Sequence, residues 1–320
     1  MKLGAFVLRR FAGAAATIVA VSLVTFAIFF WAPSNPAARL AGKNASAEDI
    51  ARVARQYGLD RPWWEQYGRF LARAARGDLG TSYLSREPVT KSLVAAMPAT
   101  VSLTVGAALL WCGLGLGIGI ASARRGRGAG VLSLLSIAGV STPPFWLALL
   151  LLWLFADRMG LFPLGGYQSV AEAGVGGWAR SLCLPWLTLA LLYAGWYARL
   201  AQTGLDDALA SDWARTARAK GASERRVLVH HALRNALLPL VTMFGMDVGG
   251  LLGGAVLTES VYGIPGLGGL AWQAIASRDL PLVMGTVLVA AVCLVTASTL
   301  VDFALAALDP RVRAQQDERA

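Results

Sequence analysis

Few residues in this 320-residue chain could carry chemistry, and their spacing decides against most reactions. Gly42-Lys43 is followed by Asn44 and has no glycine five residues before it, so no phosphate-cradling P-loop is present and nucleotide hydrolysis by that route is excluded. Gly266-Leu267-Gly268-Gly269-Leu270-Ala271 matches a dinucleotide fingerprint in letters, but it lies between two apolar runs rather than after a strand. His230 and His231 are adjacent, so on a helix they point about 100° apart and do not share a metal face. Cys112, Cys183 and Cys293 lack CxxC spacing and fall in or beside apolar runs, where packing is the default role. The acids within long apolar runs are Asp247, near the middle of one, and Asp302, nearer the end of another. Paired-aspartate proteolysis needs two acids at one depth, which these do not offer. Charge in a bilayer costs roughly 3 kcal/mol, so Asp247 calls for a polar cavity or a packing partner, and Asp302 reads as structural.

The elements that position these groups follow from composition. Apolar residues make up 56% of the chain and charged residues 15%, too little charge to cover a soluble fold of this size. Six runs approach or exceed the roughly 20 helical residues that span a bilayer: Phe11–Trp31, Ala99–Ala121, Val131–Phe155, Leu182–Ala198, Pro239–Leu257 and Leu282–Leu308. The first is too long for the core of a secretory signal and reads as a retained anchor. The net charge of +10 suggests nucleic acid in a soluble protein. Here the basic residues lie between apolar runs, so the expected partner is the lipid bilayer and no nucleic acid. Sixteen Lys and Arg residues fall in the N-terminal segment, the second and fourth connections and the tail, against three in the opposite short connections. The positive-inside rule then predicts that both termini and the fourth connection are cytoplasmic.

The division expected is residues 1–32 for the N-terminal segment and first span, 33–97 for an extracytoplasmic loop, 98–308 for a core of five spans, and 309–320 for a cytoplasmic tail. In the first loop Ser46 can cap a helix ending at Gly58, and Arg61-Pro62 opens a second, Trp63 to Arg76. The aromatic face of Trp63, Trp64, Tyr67 and Phe70 suits either the membrane surface or an external partner. Gly113, Gly115, Gly117 and Gly119, and again Gly245, Gly249 and Gly253 with Gly250 and Gly254, form stripes that let helices approach closely or leave room for a permeant. Pro143-Pro144 predicts a kink in the third span.

The fourth connection, 205–238, has no proline and reads as two helices with a sharp turn. Asp212 is the expected cap of the first, Gly221 supplies its left-handed end, and Ser223 caps the second. Such a rigid basic elbow suits a mechanical contact; the alternative is an amphipathic connector on the lipid surface.

Arg215-Thr216-Ala217, three residues and Gly221 resemble the coupling ("EAA") loop of binding-protein-dependent ABC importer permeases. The run from Arg215 to Gly221, followed by His231-Ala232-Leu233-Arg234-Asn235-Ala236, resembles the first (B-type) permease subunit of the dipeptide/oligopeptide/nickel subfamily. The same likeness covers Gly58–Pro62, Arg76–Ser82, Pro144-Phe145-Trp146, Glu259–Tyr262 with Pro265–Gly268, Arg278–Pro281 and Leu308–Arg311. Arg215 stands where many families have Glu, and Arg234 where proline is usual.

The resemblance implies an all-α polytopic protein with six transmembrane helices in the type I ABC importer permease fold. It implies a multi-pass subunit in the plasma membrane of a prokaryote, not itself an enzyme, paired with a second homologous permease. Two cytoplasmic ABC ATPases would hold ATP and Mg, with no cofactor in this chain, and an extracytoplasmic solute-binding protein would deliver cargo. Coupling would fall to Arg215, Thr216, Ala217, Arg218, Lys220, Gly221, Ala222 and Ser223. The pathway candidates are Asp247, Gly250, Gly254 and Pro144; Glu259, Tyr262, Trp63 and Trp64 are candidates for an outer gate or binding-protein contact. Short peptides are the expected cargo, with nickel, a metal chelate or haem as alternatives. An ion-coupled secondary transporter, which would want more intramembrane ionisable groups, and a non-transporting receptor or scaffold are the readings from other classes.

Overall fold

The structure, a computed structural model, describes residues 3–31, 36–42, 44–123 and 142–308. Among these residues the regular elements are helices, and the β contact is one isolated bridge between Thr81 and Pro88. In chain order they are α1 (Leu3–Trp31), α2 (Pro36–Ala41), α3 (Ala47–Tyr57), α4 (Trp63–Ala74) and α5 (Val89–Ala123). Then come α6 (Pro144–Leu151, running into a π-helical turn over Leu152–Arg158), α7 (Val170–Ala210) and α8 (Asp212–Ala219). Next are α9 (Glu224–Arg226), a second π-helical turn (Val227–Ala232), α10 (Leu233–Leu252), α11 (Val256–Tyr262), α12 (Leu267–Ala276) and α13 (Leu280–Leu308).

Helices α1, α5, α7 and α13 are each long and apolar enough to cross a membrane, and α10 with α11 forms an apolar pair bent by 52°, a broken span or a re-entrant loop. The fold is all-α and polytopic. Residues 131–141 of the third expected span lie outside the described residues, as do Arg124, Arg125, Arg127 and the tail 309–320. Pro143 is extended (φ −62°, ψ 133°) and Pro144 is the first residue of α6, so the pair stands at a helix start within the expected span; the part before Thr142 lies outside the described residues. Proline tolerates that place because the first turn's N–H groups have no intrahelical acceptor. The fifth expected span is corrected: its helix breaks at 253–255, and a second helix runs from Val256 to Tyr262 and carries Glu259. At the break Gly254 has φ +122°, and a Cβ there would lie 2.4 Å from the Gly268 nitrogen, so a side chain has neither the conformation nor the room.

The chain divides into two compact units: residues up to Thr100 with Leu252–Val256 and Pro265–Val295, and Val101–Leu251 with Leu257–Ile264 and residues from Thr296. In the first unit, α3 begins with a reciprocal capping box between Ser46 and Asp49 and ends at Gly58 (φ 67°), as the local sequence predicts. Helix α4 stops at Ala74, two residues before the predicted end, and turns through Gly77. Its Tyr67 and Phe70 pack with Phe26 of α1 and Met284 of α13. Tyr67 Oη donates to the Val19 carbonyl at 3.0 Å and lies 3.0 Å from Ser22 Oγ, fastening α4 to α1. Asp279, 1% exposed, accepts from Ser82 Oγ at 2.5 Å and from the Leu84 N–H at 3.2 Å, while its other oxygen accepts the Leu282 N–H at the start of α13. Val89, Leu93 and Ala96 of α5 close over Leu267 and Ala274 of α12 and over Leu282 and Val283 of α13.

In the second unit, α5 lies against α7 through glycine. A Cβ on Gly115 would stand 2.5 Å from Tyr197 Cβ, and one on Gly119 would stand 2.6 Å from Ala201 Cβ. Trp186 Nε1 donates to the Ser102 carbonyl at 3.0 Å across the same contact. A further core of Ala123, Leu205, Ala208, Leu228, Ala232 and Ala236 holds the ends of α5 and α7 against the π-helical turn and α10.

Candidate functional site

The elbow between α7 and α10 is built from local rules. Ser211, not Asp212, is the N-cap of α8: Ser211 is extended (φ −67°, ψ 158°) and Asp212 is the first helical residue. Asp212 still complements the positive helix start and lies 3.4 Å from Arg215. At the far end Lys220, Gly221 and Ala222 donate to the carbonyls of Thr216, Arg218 and Ala217, and Gly221 adopts φ +83° with nothing within 4 Å of a Cβ. Ser223 then caps α9, accepting the Arg226 N–H at 3.4 Å.

One side chain locks the turn. Arg218 grips Glu224 with two nitrogens, Nε–Oε1 at 2.7 Å and Nη2–Oε2 at 3.3 Å, and its Nη1 donates to the Leu209 carbonyl at 3.1 Å. The guanidinium holds the Glu224 carboxyl below the usual carboxylate range. Ala214 and Val227 are buried behind the elbow, whereas Arg215, Thr216, Lys220, Gly221 and Ser223 are exposed and Ala217, Arg218 and Ala222 are half-buried. The result is a small, rigid, basic projection.

The second place is Asp247 on α10. Tyr197 Oη of α7 donates to Asp247 Oδ2 at 2.7 Å. Trp111, wholly buried on α5, stacks on Tyr193 at 4.8 Å and meets Tyr197 at 6.1 Å and Phe244 at 6.2 Å. The glycine stripes divide: Gly115, Gly119 and Gly245 touch neighbouring helices, while Gly113, Gly117 and Gly250 have open space where a side chain would be. Asp247 and Gly250 therefore lie together, whereas Pro144 is at the exposed start of α6 and Gly254 is in the break.

Glu259 is fully buried and Tyr262 is 2% exposed, with Tyr262 Oη 2.7 Å from Thr188 Oγ1 and 3.3 Å from the Ala148 carbonyl. In this conformation both side chains are enclosed by the protein. Trp63 and Trp64 are exposed on α4, edge to face at 5.9 Å. The aromatic surround of Asp247 was missed in the sequence; the Tyr193–Tyr197 pair at helical spacing is the one signal that pointed to it. Among the described residues no group of three His, Cys, Asp or Glu side chains is placed to hold a metal ion.

Helices long and apolar enough to span a bilayer, with a capped basic elbow between α7 and α10, mark an integral membrane protein. The chain belongs to the family of binding-protein-dependent transport system inner membrane components, whose model matches residues 113–314; the family's N-terminal membrane component model matches residues 3–104. It is 39% identical over 97% of its length, and 99% of the relative's, to a Brucella abortus (strain 2308) protein named as a peptide transport system permease. It is 34% identical, over 97% of this chain and 99% of the other, to the dipeptide transport system permease protein DppB of Alkalihalophilus pseudofirmus. It is 37% identical, over 96% and 98%, to the glutathione transport system permease protein GsiC of Salmonella paratyphi A. Among solved structures, the inward-facing MetNI methionine ABC transporter gives a TM-score of 0.52 at 22% identity, covering 69% of this chain and 95% of that one, a likeness of fold. The protein is thus a multi-pass inner-membrane permease subunit with the type I importer fold.

Proposed function

We propose that this chain is the translocation subunit of an ATP-driven ABC importer for short peptides. The elbow carries the reading: a helix of two turns, capped, clamped at Arg218–Glu224 and exposed on its basic face, has the shape of a part made to be gripped. Its exposed Arg215, Thr216, Lys220, Gly221 and Ser223, with Ala217, Arg218 and Ala222, would enter a groove of a cytoplasmic ATPase subunit. A second homologous permease would do the same with a second ATPase. ATP and Mg would be held there, and this chain would hydrolyse nothing. Closure of the ATPases would move the elbows and switch the bundle between inward- and outward-facing states.

The relatives' names support peptide as the cargo class. A solute-binding protein would deliver it on the side of the 33–97 loop, where Trp63 and Trp64 are exposed. Both termini would then be cytoplasmic, with the core at 98–308 and the elbow within 205–238. Glu259 and Tyr262 would close the outer side, and Asp247 and Gly250 would face the path.

The test is reconstitution of the permease pair, ATPases and binding protein in proteoliposomes with labelled dipeptides and tripeptides, with nickel in a parallel arm. ATP-dependent peptide uptake is expected. Nickel uptake without peptide uptake would move the assignment to the metal branch, and uptake that follows an ion gradient without ATP would reject the ABC reading.

A further inference from the structure

Asp247 raises a question of charge balance. From Ala236 to Leu252 the helix that carries it has no Lys or Arg. Among the described residues its polar partner is the Tyr197 hydroxyl, which donates to Oδ2. The described ion pairs all lie elsewhere. A carboxylate within a membrane span needs a counter-charge or water. Asp247 is half-buried rather than sealed, and Gly250, one turn further on, has open space beside it.

The neighbours are suited to one kind of guest. Tyr193 and Phe244 are half-buried, and both rings are backed by the wholly buried Trp111. Trp111 also meets the ring of Tyr197, whose hydroxyl holds Asp247, and this places the carboxylate beside that cluster. A carboxylate flanked by aromatic faces attracts an organic cation and repels an anion. Among the described residues no group of three His, Cys, Asp or Glu side chains includes Asp247, which makes it a poor metal site.

We propose that Asp247 is a subsite in the translocation path for a primary ammonium group of the cargo, with Tyr197 holding the carboxylate and Tyr193 and Phe244 flanking the guest. This deepens the peptide-importer reading and rests on it. The ammonium could belong to a peptide's amino end or to a lysine side chain, and the site's chemistry is the same for both.

The experiment uses the assembled permease–ATPase complex in detergent without nucleotide or binding protein, so that selection by the binding protein does not enter. Equilibrium dialysis measures labelled tri-alanine, its Nα-acetyl form and Nα-acetyl-Ala-Lys-Ala. Tri-alanine is expected to bind at least about tenfold tighter than its acetylated form, as for loss of one charge-assisted contact. Asp247→Asn, which keeps an acceptor for Tyr197, should erase that preference, and Asp247→Glu should restore it. Equal affinities in the unmodified complex, binding of neither peptide up to millimolar concentration, or a preference that survives Asp247→Asn would each overturn the proposal. The unmodified complex decides the matter even if a variant fails to assemble. Tight binding of the lysine peptide assigns the site to any ammonium, and weak binding assigns it to the amino end; both support the subsite. Normal peptide uptake alongside an overturning result would remove the subsite alone, whereas absence of peptide uptake would remove the function it rests on.

Discussion

Arg218 and Glu224 face each other across the turn of the elbow, six residues apart, with two guanidinium nitrogens on the two carboxylate oxygens. Both are solvent-reachable, so the pair shapes the turn more than it stabilises the fold. Because Arg218 lowers the Glu224 pKa, the contact is complete above the ordinary glutamate range and is lost as pH falls through the lowered value. Glu224→Gln should therefore speed amide exchange in residues 215–222 at pH 7, and the unmodified chain should show the same loosening only in acid. Exchange rates unchanged by the substitution would show that backbone capping alone holds the turn.

Gly221 adopts φ +83°, a conformation that costs a β-branched residue about 1–2 kcal/mol. Gly221→Val should leave the assembled complex intact but lower cargo-stimulated ATPase activity towards its basal rate, by roughly tenfold for that energy. Normal stimulation in the variant would detach the elbow from coupling.

The α5 glycines should separate by face. Gly115→Ala drives a methyl into Tyr197 and should destabilise the subunit by about 1–3 kcal/mol, read as a lower unfolding midpoint in detergent. Gly113→Ala and Gly117→Ala meet open space and should shift the midpoint little. Equal losses at all three positions would mean that the open face is filled in the assembled transporter.

Asp279 ties the segment between α4 and α5 to the start of α13. Asp279→Ala leaves the buried Ser82 hydroxyl without its acceptor and removes the cap at Leu282, for a loss of about 2–3 kcal/mol. Limited proteolysis should then cut near Ser82–Glu87 much faster than in the unmodified protein. Ser82→Ala removes one of these bonds and should do less.

Much of this was legible in the sequence where the rule is local. The Ser46–Asp49 box, the Gly58 end and the Gly221 turn each follow from a few adjacent residues. The error at Asp212 is of the same scale: an extended Ser211 moves the cap by one position. What depends on contacts between distant segments was hidden. The break at Gly254 is explained by the approach of Gly268, and Tyr197 meets Asp247 from fifty residues away. The stripes announced close packing or open space, but which glycine does which is set by the rotation of α5 against α7.

Glu224 to Leu252 forms one uninterrupted helical run, π-helical turn included, before the bend. Asp247 lies about 35 Å along it from Glu224, at about 1.5 Å per residue. The run joins the elbow to the aspartate by continuous helical backbone, with the π-helical turn and Pro239 as the places where it can bend and the glycine joint as its end.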